Sequence, residues 1–446
     1  MQAVKVFERY IAYLAEGLGH ADRHAGLKGY CTGLMLPLAR KSVEPMAASL
    51  EPLRVSARHQ ALHHFVARSE WSDEAVLARV REWVVPSLGL KDGCYWIVDD
   101  TGFPKKGKHS VGVTRQYCGQ LGKQDNCQVA VSLSLASTRG SVPVAYQLYL
   151  PEDWAAEPVR RQAAGVPQTL VFATKAAIAL AQMRQALSQG VQAGVVLADA
   201  GYGDETAFRD GITAMGLLYA VGIRPATTVW APGTGPLPPK PWAGRGRPAT
   251  RLRREPGHKP VSARALAMNL PIQAWRTVAW REGTHKELSG RFAALRVRPA
   301  HRGPGSKMRA QEWLLIEWPE GEKEPLKYFL STAPEYASVE QLVFVAKMRW
   351  RIERDYQDLK QDFGLGHYEG RGWRGFHHHA TLSIAAYGFL MAQRLQMGAG
   401  AEGAIKKSLA QRQAPAVPEG FLPRGSPARS APCAGLDHDA AHCAGH

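Results

Sequence analysis

Apolar residues in the first 90 positions recur at the three- and four-residue intervals of a helix. The spacing is clearest in FERYIAYLAEGL (7–18) and SDEAVLARVREWVVPSL (72–88). It gathers apolar side chains on one helical face, and Ser72 followed by two acidic residues is typical of a helix start. Residues 1–90 are therefore predicted to form an all-helical N-terminal region.

The pattern changes to short β-rich runs after Gly93. CYWIVDDTGF (94–103), NCQVAVSLSLAS (126–137) and VPVAYQLYLP (142–151) are separated by turn residues, which predicts three consecutive antiparallel strands. A helix is predicted at 174–190 with Gly190 as its C-cap, followed by a strand at 193–199, a helix at 205–217 and a strand at 218–223. This order is that of a mixed α/β sheet of the RNase H type, and residues 91–224 are assigned to the first part of that core.

The next hundred residues have a different composition. Residues 224–260 are rich in Pro, Gly and Arg, and strand-like runs follow at 275–282, 291–301, 312–319 and 327–333. We interpret 225–332 as a β-rich insertion led by a basic irregular loop. Helical periodicity at 337–365 and 378–397 assigns 333–397 to the C-terminal helices of the core, and the composition of 398–446 predicts a disordered tail.

The net charge of the chain limits the classes of partner that it is expected to bind. The 446 residues include 56 Lys and Arg against 39 Asp and Glu, a net charge of +17. Such a balance favours a polyanion, either nucleic acid or an anionic membrane. No apolar stretch approaches the ~20 residues that span a bilayer, and no signal peptide is evident. We expect a cytoplasmic, nucleoid-associated protein that does not bind membranes. Its six cysteines lack CxxC spacing, so reduced thiols are favoured over disulfides or zinc.

The mixed segment VSARHQALHHFVARSEW (55–71) has two interpretations. Its His, Arg and aromatic residues suit a helix face packed on the next domain, and they equally suit a face that contacts DNA. The pattern leaves both open.

Three acidic residues lie in or at the ends of predicted regular elements. Asp99 ends the first strand, Asp199 ends the strand 193–199, and Glu353 lies within the long helix 337–365. In an RNase H-like sheet the two strands are neighbours and the last helix packs across them, so the carboxylates could converge. They would repel one another without cations, and Mg²⁺ prefers such oxygen ligands. Taken singly, each has an ordinary alternative as a turn, cap or ion-pair residue.

The first acid is ambiguous because Asp99 and Asp100 are adjacent and point to opposite faces of a strand. Both faces are apolar. Alternation alone therefore leaves Asp100 as an alternative first acid.

Several separated blocks resemble the insertion-sequence 701-like group of bacterial DDE transposases. They are DDTGFPKKGKHSVGVTRQYCGQLGKQDNCQVAVSL (99–133), LYLPEDW (148–154), LADAGYGD (197–204) and GHYEGRGWRGFHHH (366–379). The resemblance extends from about residue 50 to about residue 395. It implies metal-dependent cleavage at insertion-sequence ends and cut-and-paste strand transfer into target DNA. It also implies double-stranded DNA with terminal inverted repeats as substrate, a homodimer on DNA, and Mg²⁺ (or Mn²⁺ in its place) as cofactor.

The resemblance extends to the signature Y-x2-R-x3-E-x6-K of these enzymes. Arg349, Glu353 and Lys360 match it, whereas Ala346 occupies the Tyr position, which leaves open whether a hairpin intermediate forms. Arg349 and Lys360 would hold phosphates beside the metal.

By the same resemblance Asp99, Asp199 and Glu353 are the catalytic residues and metal ligands. In related transposases the first acid is followed by a small residue and then Thr or Ser, which favours Asp99 over Asp100.

Further cations are candidate DNA contacts. Lys105, Lys106 and Arg115 follow the first acid and would line the path of a phosphate backbone. Arg245 and Arg247 lie in GRGRP, which resembles an AT-hook core but also suits a non-specific backbone clamp.

The segment GRGWRGFHHH, after the signature helix, supplies a different kind of candidate contact. Its Arg371 and Trp373 could stack an unpaired base. The alternative is a packed Trp beside surface histidines.

Two rival functions remain: an RNase H-like nuclease that cuts without transposition, and an inactive, domesticated DNA-binding repressor. Retention of all three acids with Arg349 and Lys360 argues against the second.

Overall fold

A computed structural model describes residues 2–282, 287–300, 305 and 307–409. The N-terminal segment is helical, with α1 at Gln2–Ala15, α2 at Arg23–Met35, α3 at Val43–Leu50, α4 at Val55–Ala67 and α5 at Asp73–Leu88. Ser72 caps α5 by accepting a hydrogen bond from the Ala75 N–H at 3.1 Å, as the sequence predicted. Leu62, Phe65 and Val66 of α4 are buried whereas His63 and His64 are exposed, so one face of α4 packs and the other is exposed.

Four antiparallel strands begin the sheet. They are β1 at Tyr95–Pro104, β2 at Thr114–Cys118, β3 at Lys123–Ala136 and β4 at Ser141–Leu148. β3 pairs with β1 along the whole of β1. On its other edge, β3 pairs with β2 through its first half and with β4 through its second half. The sequence predicted three of these strands and missed β2, because TRQYC pairs along one edge and carries no apolar alternation.

The chain then crosses to the other side of β1. It forms helices α6 at Glu152–Ala155, α7 at Pro158–Ala163, α8 at Lys175–Ser188, α9 at Ala200–Gly203 and α10 at Thr206–Ala214, with strands β5 at Val195–Ala198 and β6 at Tyr219–Ile223. β5 lies between β1 and β6 and is parallel to both. The apolar run before Asp199 is therefore a central, fully buried strand.

The strands of the predicted insertion extend this same sheet. They are β7 at Thr228–Trp230, β8 at Val261–Ser262, β9 at Arg276–Glu282, β10 at Glu287–Pro299, β11 at Glu312–Trp318 and β12 at Lys327–Ser331, with α11 at Ala263–Met268. β12 pairs with β6, β11 with β12, and β10 with β11. The basic loop was predicted to contain no regular element, which is wrong at β7: there the residues TVW pair with the end of β10.

The C-terminal helices are α12 at Val339–Lys347, α13 at Trp350–Gln361 and α14 at Trp373–Leu409. A single long helix was expected over 337–365, but the chain turns at Met348 and Arg349, where Arg351 and Ile352 donate to carbonyls three residues back. Arg349 therefore precedes α13, and Glu353 lies in its first turn. α14 extends to Leu409, into the segment predicted as a tail, and 410–446 lie outside the described residues.

Candidate active site

The pairing of β1 with β5 brings two acidic residues near each other. Ile97 is level with Leu197 in the last pair of this parallel ladder. Asp99 and Asp199 each follow two residues further on, and the charge of Asp199 acts on the Asp99 carboxyl. Asp99 also lies opposite Ser132 of β3, and the Ser132 hydroxyl is 2.6 Å from that of Tyr356 on α13. Asp99 therefore faces α13.

Arg349 joins two of the candidate acids. One guanidinium nitrogen donates to Asp99 at 2.7 Å, and the other donates to Glu353 at 3.3 Å. The Asp99 side chain is 17% exposed whereas that of Glu353 is 67% exposed. Arg349 thus lies between a buried and an exposed carboxylate.

The electrostatics of the site depend on this arginine. Burial raises the pKa of Asp99 to about 6; the Arg349 charge opposes this, and the carboxylates of Asp199 and Asp100 add to it. Burial lowers the pKa of Arg349, but the charges of Asp99, Asp199 and Glu353 outweigh it and the pKa rises. All three candidate acids therefore act on one guanidinium, which supplies the positive charge that close carboxylates require.

Asp100 points to the other face of β1. Its partner on that face was not predicted from the sequence. The ammonium group of Lys175, at the start of α8, lies 2.7 Å from the Asp100 carboxylate and 5.8 Å from the Tyr149 ring. A cation in the first turn of a helix is unfavourable to the helix dipole, and that was the available sequence signal for Lys175.

Asp199 directly follows β5 and caps the short helix α9. Its carboxylate accepts a hydrogen bond from the Gly201 N–H at 2.8 Å. α9 packs closely on β6, since a Cβ on Gly203 would collide with the Gly222 carbonyl. The position of Asp199 is therefore fixed by a contact between two glycines.

The acidic side chains suit a divalent cation chemically, although they are not arranged around one. Among the described residues, no three His, Cys, Asp or Glu side chains form a group that could hold a metal ion. Asp99, Asp199 and Glu353 offer the carboxylate oxygens that Mg²⁺ and Mn²⁺ prefer, and Arg349 now neutralises them. The donor types fit such an ion, while Arg349 holds Asp99 and Glu353 in ion pairs.

Two predicted DNA contacts are engaged within the protein. The Lys360 ammonium donates to the Gly102 carbonyl at 3.1 Å and to the Gln120 side chain at 3.3 Å. That of Lys105 donates to the Tyr368 carbonyl at 2.8 Å. Burial lowers the pKa of both lysines. Lys360 thus ties α13 to β1 beside the acids.

The other predicted contacts differ in exposure. Five are exposed cations: Lys106, Arg115, Arg245, Arg247 and Arg371. Trp373 is half-buried, with its ring 4.4 Å from that of His377.

The three histidines of GRGWRGFHHH are buried in the first turns of α14, so their interpretation as surface residues is wrong. Their rings bond to neighbouring elements: His377 accepts from the Leu148 N–H at 3.1 Å, His378 contacts the Trp71 carbonyl at 2.9 Å and His379 contacts the Gly364 carbonyl at 2.9 Å.

Comparison with known proteins identifies the family of the chain. Residues 13–287 match the family of DDE superfamily endonucleases. The chain belongs to this family. The predicted resemblance and the mixed α/β, RNase H-like fold class are therefore confirmed. The matched segment of the endonuclease family contains Asp99 and Asp199, while Arg349, Glu353 and Lys360 lie beyond it.

A curated relative extends the comparison. The probable transposase for insertion sequence element IS701 of Microchaete diplosiphon is 32% identical to this chain over 222 residues. The alignment covers 50% of this chain and 54% of that protein, so it spans only about half of each. Separately, no helix among the described residues is long and apolar enough to cross a membrane.

Proposed function

We propose that this endonuclease-family protein is a DDE transposase. It cleaves DNA strands at the ends of an insertion sequence and transfers them into target DNA by cut-and-paste. The observation that carries the proposal is the ion pairing of Arg349 with both Asp99 and Glu353, beside Asp199, which directly follows the strand parallel to β1. The IS701 relative supports the same assignment.

The proposed metal ligands are Asp99, Asp199 and Glu353, with Mg²⁺ as the cofactor and Mn²⁺ as its substitute. These residues would hold a pair of such ions, which would supply activation of the attacking water or 3′-hydroxyl and stabilisation of the leaving oxygen. Arg349 first neutralises the carboxylates and, once released, holds a phosphate beside them, because a guanidinium suits that anion. Lys360 fixes α13 against the end of β1 and positions Glu353.

The proposed DNA path follows the exposed cations. Lys106 and Arg115 lie on the loop and edge strand after the first acid, and Arg245 and Arg247 lie on the exposed basic loop. Their contacts with phosphates carry no sequence information. Double-stranded DNA with terminal inverted repeats, a target duplex and a homodimer on DNA complete the proposal.

The test is cleavage and joining of DNA that carries the inverted repeats bounding the gene, assayed with Mg²⁺. Asp199→Asn and Glu353→Gln should abolish both reactions while DNA binding persists. Asp99→Asn should do the same, whereas Asp100→Asn should retain activity because that carboxylate faces Lys175. Normal cleavage by Asp199→Asn would remove the assignment, and loss in Asp100→Asn but not in Asp99→Asn would exchange the first acid.

The rival functions give different results in the same assay. A nuclease without transposition would cut the ends but would not join a pre-cut end to target DNA. A domesticated repressor would bind DNA without metal and would not cut. The three acids together with Arg349 favour the transposase over the repressor.

A further inference from the structure

The basic loop after β7 carries a segment that is closed at its base. Leu237 and Arg253 exchange two backbone hydrogen bonds of 2.9 Å. The Arg253 guanidinium also donates to the Pro238 carbonyl at 3.0 Å, and the Leu252 N–H donates to the Gly305 carbonyl at 3.0 Å. Residues 238–252 therefore form a loop with fixed ends, here named the basic finger.

The tip of the basic finger is cationic and open to solvent. All of residues 240–251 are exposed. They contain no acidic residue and four cations: Lys240, Arg245, Arg247 and Arg251. The acidic residue nearest to them in the chain is Glu255, which pairs with Arg253 at the base. The charge of the tip is therefore not balanced locally, and such a segment attracts a polyanion.

Trp242 lies among these cations with its ring exposed. Its side chain is 59% exposed, although the indole N–H donates to the Gly246 carbonyl at 2.9 Å. Gly244 and Gly246 have φ of 83° and 74°, in the left-handed region that favours glycine. The chain thus turns back between Trp242 and Gly246, with Arg245 inside the turn. The turn fixes the indole nitrogen and leaves much of the ring open.

An exposed aromatic ring among cations suits an unpaired base of DNA. Proteins that bind single strands combine cations along the backbone with aromatic side chains on which bases stack. A wedge between the base pairs of a duplex needs both faces of a ring, whereas stacking on one base needs a single face, and Trp242 is tied to its own turn. The basic finger lies within residues 13–287, which match the DDE superfamily endonucleases. That match favours DNA over an anionic membrane as the polyanion.

We propose that Trp242 is a DNA-binding residue: its ring stacks on an unpaired base while Arg245 and Arg247 contact the adjacent phosphates. This inference rests on the proposed contact of these two arginines with DNA. Stacking of one base contributes about 1–3 kcal/mol, which is about 5–150-fold in affinity. Phosphate contacts weaken with salt and stacking does not, so the two parts of the interaction are separable.

Trp242→Ala tests the stacking, and Tyr336→Ala is its matched control. Tyr336 is also an exposed aromatic residue, at 68%, but it lies outside the basic finger and follows Glu335. The full-length proteins are titrated at several salt concentrations with fluorescein-labelled oligothymidylate and with a labelled duplex, and separately with phosphatidylserine vesicles. Trp242→Phe is included because it keeps a ring but loses the hydrogen bond to Gly246.

Trp242→Ala should bind oligothymidylate about 5–150-fold more weakly than the parent at every salt concentration. Its affinity for the duplex should be unchanged. Trp242→Phe should keep most of the affinity for oligothymidylate, and Tyr336→Ala should match the parent. Arg247→Met should instead lower the slope of log binding constant against log salt by about 0.7, the share of one phosphate contact with a single strand. Urea unfolding should be the same for all variants, because each replaced side chain is exposed.

Equal affinity of the parent and Trp242→Ala for oligothymidylate overturns the stacking role, and so does an equal loss in Trp242→Ala and Trp242→Phe. A loss on the duplex as large as that on the single strand rejects the unpaired base as the ligand. A loss confined to the vesicles rejects DNA as the partner. An unchanged salt slope in Arg247→Met removes the phosphate contact from which the inference starts. Each of these results leaves the transposase assignment to its own cleavage and joining assay.

Discussion

Arg349 donates a hydrogen bond of 2.7 Å to Asp99 across 250 residues of chain. The bond joins the turn before α13 to the centre of β1, and the same guanidinium reaches Glu353 at 3.3 Å. An arginine whose charge balances three carboxylates keeps the folded protein stable before any metal binds. Under the proposed function it would compete with a metal ion for the oxygens of Asp99.

Arg349→Gln is therefore expected to destabilise the metal-free protein by about 1–3 kcal/mol, because Asp99 would be left as a buried carboxylate without its partner. Urea unfolding in EDTA measures the change. Adding Asp99→Asn should restore most of the loss. Glu353→Gln, the matched control on the exposed side of the same arginine, should change stability by less than about 1 kcal/mol. Equal losses in the two single variants would contradict this account.

Lys105 and Lys106 are neighbours with different expected roles. Lys106 is exposed, so Lys106→Met should lower the slope of log binding constant against log salt by about 0.9, the share of one phosphate contact. Lys105→Met should instead lower the free energy of unfolding by about 1 kcal/mol, because the Tyr368 carbonyl loses its donor. DNA titrations at several salt concentrations and urea unfolding separate the two effects. A stable Lys105→Met with the lower slope would reverse the assignment.

Hydrophobic periodicity and turn residues predicted those parts of the fold that depend on residues close together in the sequence. The strands at Asp99 and Asp199 and the cap at Ser72 all followed from periodicity and turn residues. What the sequence could not provide was pairing over long separations. That Asp99 rather than Asp100 faces α13 depends on the pairing of β1 with β3. That Lys175 pairs with Asp100 depends on how α8 packs against the sheet.

The interpretation of the three consecutive histidines as surface residues was wrong for a related reason. Three consecutive polar residues suggest a surface, but each ring is buried by a different element and bonded to it. The break at Arg349 was equally hidden, because the residues on both sides of it favour helix. Neither Pro nor Gly marks the turn.

Gly203→Ala should destabilise the protein by about 1–3 kcal/mol, because the added methyl group has no space beside the Gly222 carbonyl and Val221. The strain would shift α9 and with it Asp199, so metal-dependent cleavage should fall more than DNA binding. Gly107→Ala is the matched control, since nothing lies within 4 Å of a Cβ there. A Gly203→Ala protein of unchanged stability would show that α9 can move away from β6 freely.

His378 should make the protein sensitive to acid. Burial lowers the pKa of His378 to about 4, although contacts with the Trp71 and Val66 carbonyls favour the charged form. The unfolded chain, with a pKa near 6.5, therefore takes up the proton first. The contribution of His378 is complete above about pH 6.5 and is lost as the pH falls towards 4, by about 1.4 kcal/mol per unit at most.

His378→Gln is expected to lower the free energy of unfolding at pH 7.5, because the ring packs on Trp71 at 3.6 Å. Below pH 6.5 the free energy of unfolding should fall less steeply with pH than in the parent, by the slope that uptake of about one proton produces. Urea midpoints at pH 7.5, 6.0 and 5.0 give both quantities. His109→Gln, on the exposed loop after β1, controls for the loss of an imidazole outside the core. An unchanged slope in His378→Gln would mean that the buried imidazole does not take part in acid unfolding.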